Sequence, residues 1–285
     1  MPACYGFKNP RMITRSKTCR LNLGSPILVA LLFALSFRLH AQFTYVTNNG
    51  SIVASASAGE APQEAQTKAD TLPHWKATTG WYHFSNDANA WDFNLRYSWK
   101  DMANFWVGYY LPEAHDPGQW RGGWDSQFTL GMVRIMPSLQ LASRDFVGGS
   151  FGVETGEKWF VGVGYGLTNL KPYVNLNFDP NDSYTVNAGY RWDDGAAASV
   201  LWVQDIRQNP DQKHLHFIYR TPLPKNRRLT FDVLFKTGLV ENSTIYGVGA
   251  SVTYDWSRYF IRVAYDPHAN FAPENMWRLS MGVRF

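Results

Sequence analysis

The residues of this chain that could move a proton or hold an ion lie in a few short segments, and the most specific is Trp81 to Asp87, WYHFSND. His83 and Ser85 stand two apart, so on an extended strand their side chains share a face, with Asn86 next. Catalysis by such a pair needs the serine within about 2.6–3.2 Å of the imidazole and a third polar group to hold the ring. The same residues also read as a strand end entering a turn, Ser85 to Asn89. In KHLHFIY, His214 and His216 share a face and offer two imidazoles, but no third ligand has a recognisable spacing. They read as polar residues of an inner face, and neither a metal nor a cofactor is expected. His115 with Asp116, and Asp266 with His268, fall in long loops and read as solvated. Gly162 to Gly166 and Gly247 to Gly249 have no phosphate-loop spacing; they put small residues on the inner face of a curved wall.

The elements that position these residues are strands. In Trp91 to Trp99 the odd positions are Trp91, Phe93, Leu95, Tyr97 and Trp99, while Asp92, Asn94, Arg96 and Ser98 face the other way. The pattern recurs with Val174, Leu176 and Phe178 against Tyr173, Asn175, Asn177 and Asp179, and from Tyr184 to Trp192, Leu229 to Lys236 and Tyr246 to Tyr254. A period of two predicts antiparallel strands with one apolar and one polar face. Aromatics cap the apolar faces at both ends, as in Trp91 and Trp99 or Tyr184 and Trp192, the arrangement expected where a barrel wall meets two membrane interfaces. Arginines on the polar faces suit a wet interior better than a dry core.

The last strand carries a further signal. In MWRLSMGVRF, Trp277, Leu279, Met281, Val283 and Phe285 are apolar and alternate with Arg278, Ser280, Gly282 and Arg284. This segment, ending on an aromatic, resembles the C-terminal assembly signal of bacterial outer-membrane β-barrels. The resemblance implies an all-β, transmembrane, antiparallel up-and-down barrel in the bacterial outer membrane, in contact with its lipids and inserted by the barrel-assembly machinery. Fourteen strands are expected between Trp75 and Phe285, with twelve as the alternative, since Pro137 and Ser143-Arg144-Asp145 blur the register from Met132 to Thr155. Both barrel ends then lie in the periplasm. The connections Lys100 to Ala103, Thr168 to Lys171, Asp193 to Ala197 and Asp255 to Arg258 are assigned there, and Pro112 to Trp124, Gln204 to Lys213 and Asp266 to Glu274 outside the cell.

The N-terminal region fits that destination. Residues 1–41 hold a basic stretch, the apolar run Ile27 to Phe37 and Ala41 at a cleavage position, and read as a signal peptide, with Met12 the alternative to Met1 as the true start. Residues 42–72 are poor in large apolar groups and read as a mobile periplasmic linker; residues 73–285 form the barrel, which holds all twelve tryptophans. The chain has 27 Lys+Arg and 23 Asp+Glu, but residues 1–41 carry six of the bases and none of the acids, leaving 21 against 23. The basic balance belongs to the leader, which removes the support for nucleic-acid binding. Both cysteines, Cys4 and Cys19, also precede the apolar run, so the mature chain has no thiol chemistry.

Two functions follow from these readings. The segment HFSN at His83 to Asn86 resembles the His-x-Ser-Asn element of outer-membrane phospholipase A and of lipid A deacylases. That resemblance implies Ser85 as nucleophile and His83 as base in an outer-leaflet lipid hydrolase, although Asp87 replaces the small residue usual there. The other function rests on the polar faces, where Arg96, Arg191, Arg220, Arg262 and Arg278 accompany Asp92, Asp179, Asp232 and Asp266. Mixed charge either lines a small water-filled pore or forms a salt-bridged plug, as in a structural or binding barrel. Fourteen strands enclose more space than side chains alone fill. The sequence therefore favours a porin-like passage for small polar solutes over catalysis.

Overall fold

Every backbone N–H and C=O that crosses a bilayer must find a partner within the protein, and a sheet meets that demand only by closing on itself. The computed structural model describes residues 74–99, 103–113, 118–169, 182–207, 211–240 and 243–285. Its strands are β1 Trp75–Phe84, β2 Asn89–Trp99, β3 Ala103–Pro112, β4 in two segments (Gln119–Ser126 and Phe128–Leu130), β5 Val133–Ala142, β6 Phe146–Thr155 and β7 Trp159–Thr168. There follow β8 Ser183–Arg191, β9 Ala197–Asp205, β10 Lys213–Leu223, β11 Arg227–Val240, β12 Ser243–Trp256, β13 Tyr259–Asp266 and β14 Met276–Arg284. Each strand pairs antiparallel with its chain neighbours, and β1 pairs with β14 from Lys76 opposite Arg284 to Phe84 opposite Met276. The barrel is closed and has fourteen strands. Most are nine to eleven residues long, the length that crosses a bilayer at a tilt.

The segment that obscured the count from sequence has a local cause. Asp125 pairs with Ser138 and Phe128 with Ile135, so the register runs through β4 unchanged. The interruption falls where Pro137, which has no N–H to give, comes opposite Ser126. Ser143 to Asp145 form a tight turn, with Arg144 and Asp145 at positive φ of 68° and 59°, between two regular strands.

Chain direction alternates, so the connections fall at two ends. The end with the barrel's termini, the terminal end, carries short links such as 131–132, 156–158 and 257–258; the opposite loop end carries 113–118, 169–182, 206–212 and 267–275. Thr168 closes β7 at the loop end and is hydrogen-bonded to Arg207 of the loop after β9. The connection beginning there therefore belongs with the long loops rather than the short set expected from sequence; a four-residue gap between alternating segments made it look like a tight turn. The flanking strands β7 and β8 pair directly, Trp159 with Tyr190 through Gly166 with Ser183. The alternation at 173–179, including Asp179, lies outside the described residues, as do the leader (1–41) and the linker (42–72).

The expected division of faces holds. Phe93, Leu95, Phe105, Val107, Val161, Val163, Val248 and Ile261 are exposed on the exterior, a surface that a bilayer, not water, would cover. Aromatics gather at both ends of that surface. Trp159, Tyr190, Trp192 and Tyr219 form a chain at the terminal end with centroids 4.8, 5.0 and 6.3 Å apart, and Tyr109 with Trp120 (4.7 Å) and Tyr265 with Trp277 (4.9 Å) mark the loop end.

Candidate functional site

Because side chains alternate, the residues opposite this apolar wall point into the lumen. Asp92, Arg96, Arg191, Arg220, Asp232, Arg262, Asp266 and Arg278 all occupy inner positions, as their alternation with the exposed apolar residues requires. Their partners are largely residues that sequence reasoning did not select. Arg96 Nη1 binds Asp125 at 3.1 Å, and Asn104 donates to the same carboxylate at 2.8 Å. Asp92 is paired with Arg121 and accepts the Tyr82 hydroxyl at 3.2 Å. Glu154, 1% exposed, receives Arg134 at 3.0 Å, Arg191 at 2.5 Å and Asn187 at 3.1 Å. Asp232 holds His216 at 2.9 Å, and Asp266 holds Lys236 at 2.5 Å. Arg262 donates to Ser251 Oγ at 3.1 Å, and Arg278 lies over the Tyr82 ring at 5.8 Å.

Asp125, Arg134 and Glu154 sit in or beside the stretch where Pro137 hid the alternation. Lys76 lies on β1, where Trp81 and Tyr82 put aromatics on both faces, and Arg121 is followed by Gly122 and Gly123; both settings mask a period of two. The signal that finds them is the register itself, counted outward from the clear strand β2.

Water reaches part of this wall. The side chains of Asp125, Asp266 and Arg228 are 29%, 23% and 38% exposed, while Arg96, Arg121 and Glu154 are buried against their partners. The lumen thus has a salt-bridged lining that water reaches in places. At the loop end a chain segment enters it. The connection after β13 folds inward through a short 3₁₀ turn, Ala269–Phe271. Ala269 is buried with Tyr82, Ala90, Tyr110 and Met276, and Phe271 packs on the inner face of Gly238, where a Cβ would collide with its ring. Lys236 Nζ donates to the His268 carbonyl at 2.9 Å and fixes the same loop. His268, Asn270 and Phe271 all have positive φ, a conformation that Asn and His adopt readily but that is uncommon for a bulky Phe.

His83 and Ser85 are not hydrogen-bonded to each other. His83 faces outward, stacked on Trp81 at 5.7 Å, and its Nδ1 meets Asn89 Oδ1 at 3.0 Å; Asn89 in turn donates to Glu113 at 2.9 Å. Ser85 Oγ accepts the Asn275 N–H at 3.0 Å, and the Ser85 N–H donates to the Asn275 carbonyl at 2.9 Å. The motif thus fastens the first hairpin to the last loop where the barrel closes. His214 stacks on Phe271 rather than joining a ligand set, and no group of three His, Cys, Asp or Glu among the described residues is arranged for a metal. His115 and Asp116 lie outside the described residues. The residues expected to carry the assembly signal, Trp277, Leu279, Met281 and Val283, share the outer face of β14 with Phe285 just beyond its end, and Phe285 exchanges two backbone hydrogen bonds with Trp75, both 2.9 Å.

This geometry has a counterpart among solved structures. The Acinetobacter baumannii outer membrane protein Omp33 superposes with a TM-score of 0.54 at 13% identity, over 75% of this chain and 99% of Omp33. The shared feature is the fold, a closed antiparallel β-barrel of the outer-membrane type. The KdgM porin (TM-score 0.40, 9% identity) and the NanC porin (0.42, 8%) align over 74% and 73% of this chain and 99% and 100% of theirs. No protein-family model matches the sequence, and no curated protein matches it.

Proposed function

We propose that this barrel resides in the bacterial outer membrane, terminal end to the periplasm, and passes small polar solutes through a narrow charged lumen. The observation that carries the reading is the contrast between walls: an exterior of exposed Phe, Val and Leu, and an interior where water reaches Asp125, Asp266 and Arg228. Omp33 supports it through a shared fold. In this account residues 1–41 direct export and are removed, residues 42–72 tether the barrel, and the outer face of β14 is read by the assembly machinery while outer-membrane lipids cover the wall. Lipid hydrolysis has no comparable support, because Ser85 and His83 each bind other partners. Ion current through purified protein in a planar bilayer tests the reading; folded protein that carries none refutes it.

A further inference from the structure

We propose that the terminal half of the lumen is a site for small anions, built around Lys76, and that the solutes passed are therefore anionic. This rests on the reading of the barrel as a passage. Lys76 is the second residue of β1, points inward and is only 6% exposed. In the sheet it stands directly between two arginines, paired with Arg96 on β2 and with Arg284 on β14. Three cationic side chains thus project side by side from adjacent strands, a placement that repels unless negative charge compensates it.

The carboxylates nearby are already committed. Asp125 holds Arg96 at 3.1 Å, and Asp255 is shared between Arg284 at 2.5 Å and Arg228 at 3.5 Å. No hydrogen-bond acceptor among the described residues reaches the Lys76 ammonium, which lies 4.6 Å above the Phe260 ring. Phe260 can lie flat beneath it because Gly282 leaves room; a Cβ there would collide with the ring. The buried Nε atoms of Arg220 and Arg228 also have no acceptor. Lys236, toward the loop end, shows the contrast, with both Asp266 and a backbone carbonyl to itself.

A buried cation without a counter-charge is unfavourable, and an anion that enters supplies what the wall lacks. The groups offered are an ammonium and guanidinium N–H donors, which suit carboxylate and phosphate oxygens and no cation. Arg228, the most exposed of them, gives access from the lumen water.

The test uses the purified mature barrel in a planar bilayer under a KCl gradient. The reversal potential should show preference for chloride over potassium. Lys76→Glu changes the site by two charges and should lower that permeability ratio by about twenty-fivefold, each unit charge at close range in water being worth about fivefold. Lys76→Gln should lower it less, and Lys158→Gln, in an exposed turn, should leave it unchanged. A second readout needs no current: inorganic phosphate at constant ionic strength should raise the unfolding temperature of the parent in detergent but not of Lys76→Gln. Channels that conduct without anion preference, or whose preference ignores both Lys76 variants, overturn the proposal and leave the passage standing. Folded protein that carries no current overturns the passage instead. The phosphate shift then decides the site: a shift lost in Lys76→Gln supports it, and no shift in the parent overturns it. If Lys76→Glu loses heat-modifiable migration, and so has not folded, Lys76→Gln carries the selectivity test.

Discussion

Phe271 lies stacked on His214, their ring centroids 5.2 Å apart and their planes 14° from parallel. One ring belongs to the loop before the last strand and the other to the wall of β10, so this contact holds the loop across the mouth at the loop end. Phe271→Ala should therefore raise single-channel conductance without altering the heat-modifiable migration of the folded barrel. Unchanged conductance would mean that the narrowest point lies elsewhere.

Glu154 anchors the wall at β6. It neutralises Arg134 and Arg191 while Asn187 occupies its second oxygen, and its side chain has no contact with water. Glu154→Gln leaves two buried guanidiniums against a neutral amide. The expected loss is about 3–5 kcal/mol, the usual cost of breaking a buried pair from one side. Denaturant unfolding in detergent measures it, and replacing Glu154 together with Arg134 should cost less than the single change. Equal stability of parent and Glu154→Gln would mean that the triad carries no such strength.

How much of this was legible beforehand depended on local regularity. Trp91 to Trp99 disclosed both faces of β2 because nothing there disturbs the alternation, and Arg96 and Asp92 were placed in the lumen on that basis. Their partners Asp125 and Arg121 were not found, since Gly122, Gly123 and Trp124 break the pattern in β4. Pro137 obscured β5 by removing one donor while leaving the register intact. The loop at the loop-end mouth was illegible for another reason: an inward-folded loop has no period, and Phe271 enters the lumen through backbone angles that no local pattern encodes. His83 and Ser85 carried a strong short pattern whose partners, Asn89 and Asn275, are set by barrel closure.

That closure yields a prediction against catalysis. Ser85→Ala removes one acceptor for Asn275 and should leave fatty acid and lysolipid release by the purified barrel at the level of the parent. Release that the parent shows and the mutant lacks would restore Ser85 as a nucleophile.

The terminal aromatic can be tested in the cell. Phe285 pairs with Trp75 through the backbone, so Phe285→Ser keeps the seam chemistry and removes only the exposed ring. The expected outcome is less heat-modifiable protein in the outer membrane and more unassembled chain in the periplasm. Normal assembly would show that the ring is not what the machinery reads.

Whether this barrel is an open, wet passage is decided by single-channel recording of purified, heat-modifiable protein in a planar bilayer. An open barrel, as proposed, gives discrete conductance steps, which grow when Phe271 is truncated; a bilayer that stays silent with folded protein inserted, for the parent and for Phe271→Ala alike, means that the lumen is closed.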